Sequence, residues 1–236
     1  MLDNQTSLLD HLNELRKRLI FCIIPFLLAV CLILPFTKAI FGFLSFPARG
    51  VIEKWAFFSP QEIAIVYVKI AIFTAVVLVL PVILYQIWKF ILPALQVRQT
   101  RYASGFIFFT LFSFLAGCVF AYFCLVPISL RFLIGLGQGE FIPVISISKY
   151  ISFVLSLVLG CGLVFELPVL IWFLSRLGIV NSAFLRKKRK YAIVVIFVLA
   201  AIITPTTDPF NMCLLAIPMV VLYEIGIWIA RFTQNK

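Results

Sequence analysis

The chain has 236 residues, 64% of them apolar with 26 Phe, only 12% charged, and a formal net charge of +11. Soluble domains carry roughly 25% charged residues, so this composition leaves too little polar surface for a water-soluble fold. The positive charge does not indicate a nucleic-acid partner either, because the cations cluster between apolar stretches and not on one basic face.

A membrane-spanning helix needs roughly 20 mainly apolar residues to cross about 30 Å of hydrocarbon. The pattern predicts six such spans, at about 19–36, 66–90, 106–128, 151–174, 191–204 and 211–229, in one polytopic domain covering 1–236. The first follows Arg16, Lys17 and Arg18 and ends near Pro35; no small-residue cleavage site follows it, so it is expected to be a retained span. The fifth is expected to be short, because Pro205 and Pro209 interrupt it. The sixth contains Pro218 and Glu224, and the pair is expected to be a short hairpin that leaves the bilayer locally thin. No internal repeat is evident.

The distribution of cations sets the orientation. With the N-terminus inside and six spans, 14 Lys and Arg fall on the inner side and 6 on the outer side. Both termini are therefore predicted to face the cytoplasm.

Only nine acidic residues are present, and Asp3, Asp10 and Glu14 precede the first span. Leu8, Leu12, Leu15 and Leu19 share one helical stripe, with Asp10, Glu14 and Lys17 on the opposite face, which predicts an interfacial helix running into span one. Two roles fit Glu14: an i,i+4 pair with Arg18, or a surface carboxylate that accepts an incoming guanidinium in a bidentate contact. His11 is the one histidine and has no partner at catalytic or metal-ligand spacing, so neither a metal site nor a Ser-His-Asp site is predicted. Cys22, Cys31, Cys118, Cys124, Cys161 and Cys213 all lie in apolar stretches and are expected to be unpaired core thiols.

Glu166 lies in mid-span before Pro168. A carboxylate at that depth costs about 2.5–3.5 kcal/mol on insertion scales, so it is expected either to face a polar cavity opened by the proline kink or to tie helices together as a protonated acid. Glu224 is near enough to a span end to reach the interface, and Gln86 is a further polar group in need of a partner. Asp208, in the outer hairpin, suits either a cap on the sixth helix or a partner contact.

Asp10-His11-Leu12-Asn13-Glu14-Leu15-Arg16-Lys17-Arg18-Leu19 resembles the amino-terminal signature of TatC, the receptor subunit of the twin-arginine protein translocase. The resemblance extends, in order, to Ser59-Pro60-Gln61-Glu62, residues 81–90 with Pro93-Ala94-Leu95, residues 120–123, Phe165-Glu166-Leu167-Pro168, residues 186–191, residues 215–218 and Tyr223-Glu224-Ile225-Gly226. It implies a concave, glove-like bundle of six transmembrane helices, N-in and C-in, in the cytoplasmic (inner) membrane. The implied function is binding the twin-arginine signal peptides of folded proteins and, with TatA and TatB, driving their proton-motive-force-dependent export. No enzymatic activity and no cofactor are implied; a homo-oligomer within the translocase is.

By the same resemblance the signal-peptide site falls on Glu14, with Asp10, His11, Leu12, Arg16 and Arg18 around it. A second acidic contact is expected in the loop after Leu95, but that position aligns with Gln99, an amide that cannot supply a charge-assisted bond. Glu166, Gln86 and Glu224 fall in an intramembrane polar pocket or partner-docking surface, and Pro60, Glu62 and Asp208 on outer-loop partner contacts. Two rivals fit less well. A transporter relaying protons through Glu166 and Glu224 would show paired, Gly/Pro-broken halves, and an intramembrane enzyme would need a nucleophile and base inside the spans.

Overall fold

The computed structural model describes residues 2–52, 54–94, 103–137, 143–176, 178–204 and 208–234, the side chains of 2–12, 88, 90–94, 103–106 and 234 excepted. These residues form α1 Leu2–Ile33, α2 Thr37–Leu44, α3 Gln61–Ala94, α4 Ala103–Phe120, α5 Val126–Gly135, α6 Ile147–Phe165, α7 Leu167–Arg176, α8 Ser182–Lys187, α9 Arg189–Ile203 and α10 Pro209–Gln234. Among the described residues the sole extended pairing is a bridge between Ala56 and Ser146. Five helical runs are long and apolar enough to cross a membrane: Asn13–Ala48, Gln61–Ile87, Ile107–Gly135, Ile147–Arg176 and Pro209–Thr233. Their outward faces carry Leu32, Phe108, Phe109, Phe112 and Trp228. Water would solvate such faces poorly, whereas lipid covers them readily.

Prolines decide where these runs bend or break. Pro35 does not end the first run, as the sequence pattern suggested, because it sits in the opening turn of the 3-10 segment Leu34–Phe36, where no backbone donor is needed. The Thr37 hydroxyl then donates to the Leu34 carbonyl at 2.8 Å and the chain continues helically into α2. Pro127 follows a π-helical turn, Ala121–Leu125, whose extra residue accommodates a ring that would clash with the carbonyl four residues earlier. At Pro168 the helix does break, separating α6 from α7 at Glu166. The Phe165 carbonyl exposed by that break accepts the Ser113 hydroxyl at 2.5 Å.

Of the two helices expected to be short, one is. α9 has 15 residues and is about 22 Å long. α10 has 26 residues and continues through Pro218 to Gln234, so the expectation of a short sixth span is corrected. A helix of that length can lose the one backbone bond Pro218 removes, and its carboxylate at Glu224 is matched by Arg189.

The chain forms two compact units, residues 1–40 with 67–111, and residues 41–66 with 112–236. In the first, Ile33 of α1 packs on Ala71 and Ala75 of α3, with Phe26, Ala29, Val30 and Ile40 around them. Small side chains one turn apart let two apolar helices approach closely in lipid, where dispersion contacts replace the hydrophobic effect as the driving force. In the second, α4 meets α6 through glycines. A Cβ at Gly117 would stand 2.7 Å from the Cys161 carbonyl oxygen and 2.9 Å from the Gly162 Cα, so any larger residue would force the backbones apart.

Two tyrosines close the end of α2 in that second unit. The Tyr122 hydroxyl donates to the Phe43 carbonyl at 2.6 Å and the Tyr150 hydroxyl to the Leu44 carbonyl at 2.7 Å. Both carbonyls belong to the last turn of α2, which has no intrahelical donors to offer them. The Phe43 and Tyr122 rings stack at 4.6 Å, and Trp55 lies 4.7 Å from the Tyr150 ring.

Candidate functional site

Glu14 lies in the first half of α1, where Glu, Leu and Arg favour an uninterrupted helix. Its carboxylate pairs with Arg18 one turn later. The two partners differ in exposure: the Arg18 side chain is 10% exposed and that of Glu14 is 39%. Arg18 also donates to the backbone carbonyl of Gln86 in α3 at 3.1 Å. The buried guanidinium thus bridges that carboxylate and that carbonyl, and it holds Glu14 in place while the Glu14 side chain stays partly exposed. The i,i+4 reading of Glu14 is realised, and 39% of the side chain remains exposed beside that pair.

Arg16 is exposed, unlike Arg18, so two arginines grouped together by the sequence pattern have different environments. Asp10, His11 and Leu12 have helical backbones, but their side chains lie outside the described residues, as does Gln99 entirely. Gln86 is half-buried, and the group it offers Arg18 is its main-chain carbonyl.

Glu62, by contrast, points inward. Its carboxylate accepts the Ser146 hydroxyl, the Phe58 backbone N–H at 2.7 Å and the Ser148 backbone N–H at 3.3 Å. Ser146 is at the same time the N-cap of α6, accepting from the Lys149 N–H at 3.3 Å. Beside this cluster the backbone of Ala56 exchanges bonds with the other loop, donating to Ile145 at 3.2 Å and accepting from Ile147 at 2.9 Å. Glu62 therefore fastens the loop before α3 to the start of α6, while Pro60 next to it is exposed.

The other acids have three distinct settings. Glu166 is half-buried at the α6–α7 break, and its Oε1 is enclosed with no hydrogen-bond partner among the described residues. Glu224 of α10 pairs with Arg189 of α9 at 2.7 Å, at side-chain exposures of 35% and 49%. Asp208 caps α10: it accepts the Asn211 N–H at 2.8 Å and the Asn211 side-chain amide at 2.9 Å. Of its two sequence-based roles the cap is thus the one seen.

Sequence reasoning did not single out Ser113, Ser146 or Tyr150, and it met Tyr122 only within the segment 120–123. Their partners lie 52 to 106 residues away along the chain, so no local spacing announces them.

Long apolar helices interrupted at prolines, with isolated carboxylates fixed at helix starts and breaks, define an all-helical polytopic membrane protein. The family described as Sec-independent protein translocase protein (TatC) matches residues 10–218. TatC of Koribacter versatilis is 40% identical over 98% of this chain and 87% of its own length, and that of Aquifex aeolicus is 38% identical over 97% and 96%. A crystal structure of the twin-arginine translocase receptor TatC superposes with a TM-score of 0.86 at 38% identity, covering 95% of this chain and 99% of that one. The chain belongs to the TatC family, a protein-transport component and not an enzyme.

Proposed function

We propose that this chain is the receptor subunit of a twin-arginine translocase. It binds the twin-arginine signal peptides of folded proteins and, with TatA and TatB, drives their export at the expense of the proton-motive force. The observation that carries this reading is the Glu14 carboxylate, surface-exposed at the start of the first span and fixed by an Arg18 that is anchored on Gln86. A guanidinium arriving on a basic membrane face needs a pre-positioned acceptor, and a bidentate carboxylate contact selects arginine over lysine. In this reading Asp10, His11, Leu12 and Arg16 contribute to the same peptide site, and Gln99 supplies an amide in place of a second carboxylate.

In this reading the chain crosses the bacterial cytoplasmic membrane six times with both termini inside, α9 being the short crossing. The distribution of Lys and Arg supports that orientation. Glu166 supplies an unsatisfied carboxyl for the single span of a TatA or TatB partner, with Gln86 and Glu224 as further polar positions. Pro60 and Asp208 lie on the outer partner surface, and Glu62 shapes that surface from within.

A photo-crosslinking twin-arginine peptide tests the assignment directly. Labelling around Glu14 by the twin-arginine peptide and none by its twin-lysine version supports it; equal labelling by both, or export of folded cargo at the normal rate by Glu14→Gln, overturns it.

A further inference from the structure

A cavity of about 290 Å³ opens where α8 meets the end of α10, lined by Arg186, Trp228, Arg231 and Phe232. The last three are spaced i, i+3 and i+4 and so share one face of α10, while Arg186 enters from the last turn of α8. Two ties hold the walls together. The Tyr223 hydroxyl donates to the carbonyl of Leu185, the residue before Arg186, at 2.9 Å, and Arg189 pairs with Glu224 at 2.7 Å.

Glu224 is taken by Arg189, and among the described residues neither Arg186 nor Arg231 has a carboxylate partner. Beside these guanidiniums stand two aromatic rings, Trp228 at 67% and Phe232 at 71% exposure. The bland explanation is a solvated polybasic face, since residues 186–190 are all Lys or Arg. It accounts for the cations but not for a bare indole and phenyl ring between them. A soluble anion would gain nothing from the rings, and an apolar partner nothing from the guanidiniums.

An amphiphile uses both. Guanidinium groups bind phosphate oxygens in forked pairs, and tryptophan at the end of a membrane helix lies at the level where headgroup meets hydrocarbon. Basic pockets between helices at a membrane face suit acidic lipid headgroups. The cavity is at the small end of the roughly 300–1,000 Å³ usual for ligand sites, which suits a phosphate and its glycerol with the acyl chains running out along α10. We propose that Arg186, Arg231, Trp228 and Phe232 form a binding site for the headgroup of an anionic phospholipid. The site stands apart from signal-peptide recognition and requires only that α10 crosses the membrane.

The test is native mass spectrometry of the full-length protein exchanged into equal phosphatidylglycerol and phosphatidylcholine. Wild type is expected to retain phosphatidylglycerol preferentially. Arg186→Gln should lower that preference roughly fivefold, and Arg186→Gln with Arg231→Gln should abolish it. All four side chains are exposed, so the variants should fold, and their thermal unfolding is expected to match wild type. The pair Lys187→Gln with Lys190→Gln removes the same charge outside the cavity and should keep most of the preference; an equal loss there would reduce the effect to diffuse attraction and overturn the site. Trp228→Ala should shorten lipid retention. Full displacement of the lipid by excess inorganic phosphate would make this a site for a free anion and overturn the lipid assignment.

Discussion

Glu14 and Glu62 are the same side chain near the starts of two long apolar helices, and the fold employs them in opposite ways. Glu62 collects a hydroxyl and two backbone N–H groups from two loops and lies buried. Glu14 pairs with the Arg18 guanidinium and keeps 39% of its side chain exposed. A buried carboxylate ringed by internal donors serves the fold, whereas one that keeps over a third of its side chain exposed is available to bind. Burial, and not residue type or position in a motif, distinguishes the two.

Substitution should separate them cleanly. The largest effect is expected from Glu62→Ala, which strands the Ser146 hydroxyl and the Phe58 and Ser148 N–H groups together; the thermal unfolding midpoint in detergent should fall more than for any other acid-to-alanine change outside the spans. Glu14→Gln keeps an oxygen for Arg18 and should lower that midpoint less than Glu62→Ala, while weakening twin-arginine peptide binding roughly tenfold to a hundredfold, as expected for loss of a charge-assisted bond of about 1.5–3 kcal/mol. Calorimetric or fluorescence titration with the peptide would measure it, and matching losses of stability in the two variants would erase the contrast.

Two smaller changes sharpen it. Gln99→Glu adds a carboxylate at a position after α3 in the sequence and is expected to tighten twin-arginine peptide binding several-fold. No tightening in the same titration would mean that the charge missing at Gln99 is already supplied by Asp10 or Asp3. Smallest of all, Arg189→Ala breaks a partly exposed pair with Glu224 and should cost roughly 0.2–1 kcal/mol in chemical unfolding, with peptide affinity unchanged.

Arg18 shows why part of the site was hidden. Its charge, its spacing from Glu14 and its place in a recognisable motif are all visible in one helical turn. Its burial against Gln86, 68 residues away, is not. The same holds for Glu62, whose motif suggested an outward contact. Ser146 and Ser148 reach it from 84 and 86 residues downstream, and they turn it inward.

The apolar composition, the approximate spans, the cation bias and the break at Pro168 follow from the order of residues alone. Hydrocarbon length and the missing proline N–H are local constraints that any window of the chain expresses. What the tertiary structure decided is where those windows end and what their polar atoms do: helical continuation beyond Pro35, a full-length α10, the inward turn of Glu62, and the paired arginines beside Trp228. Each depends on which donors, acceptors and rings other helices bring within about 3 Å to 6 Å, a distance that sequence separation does not encode.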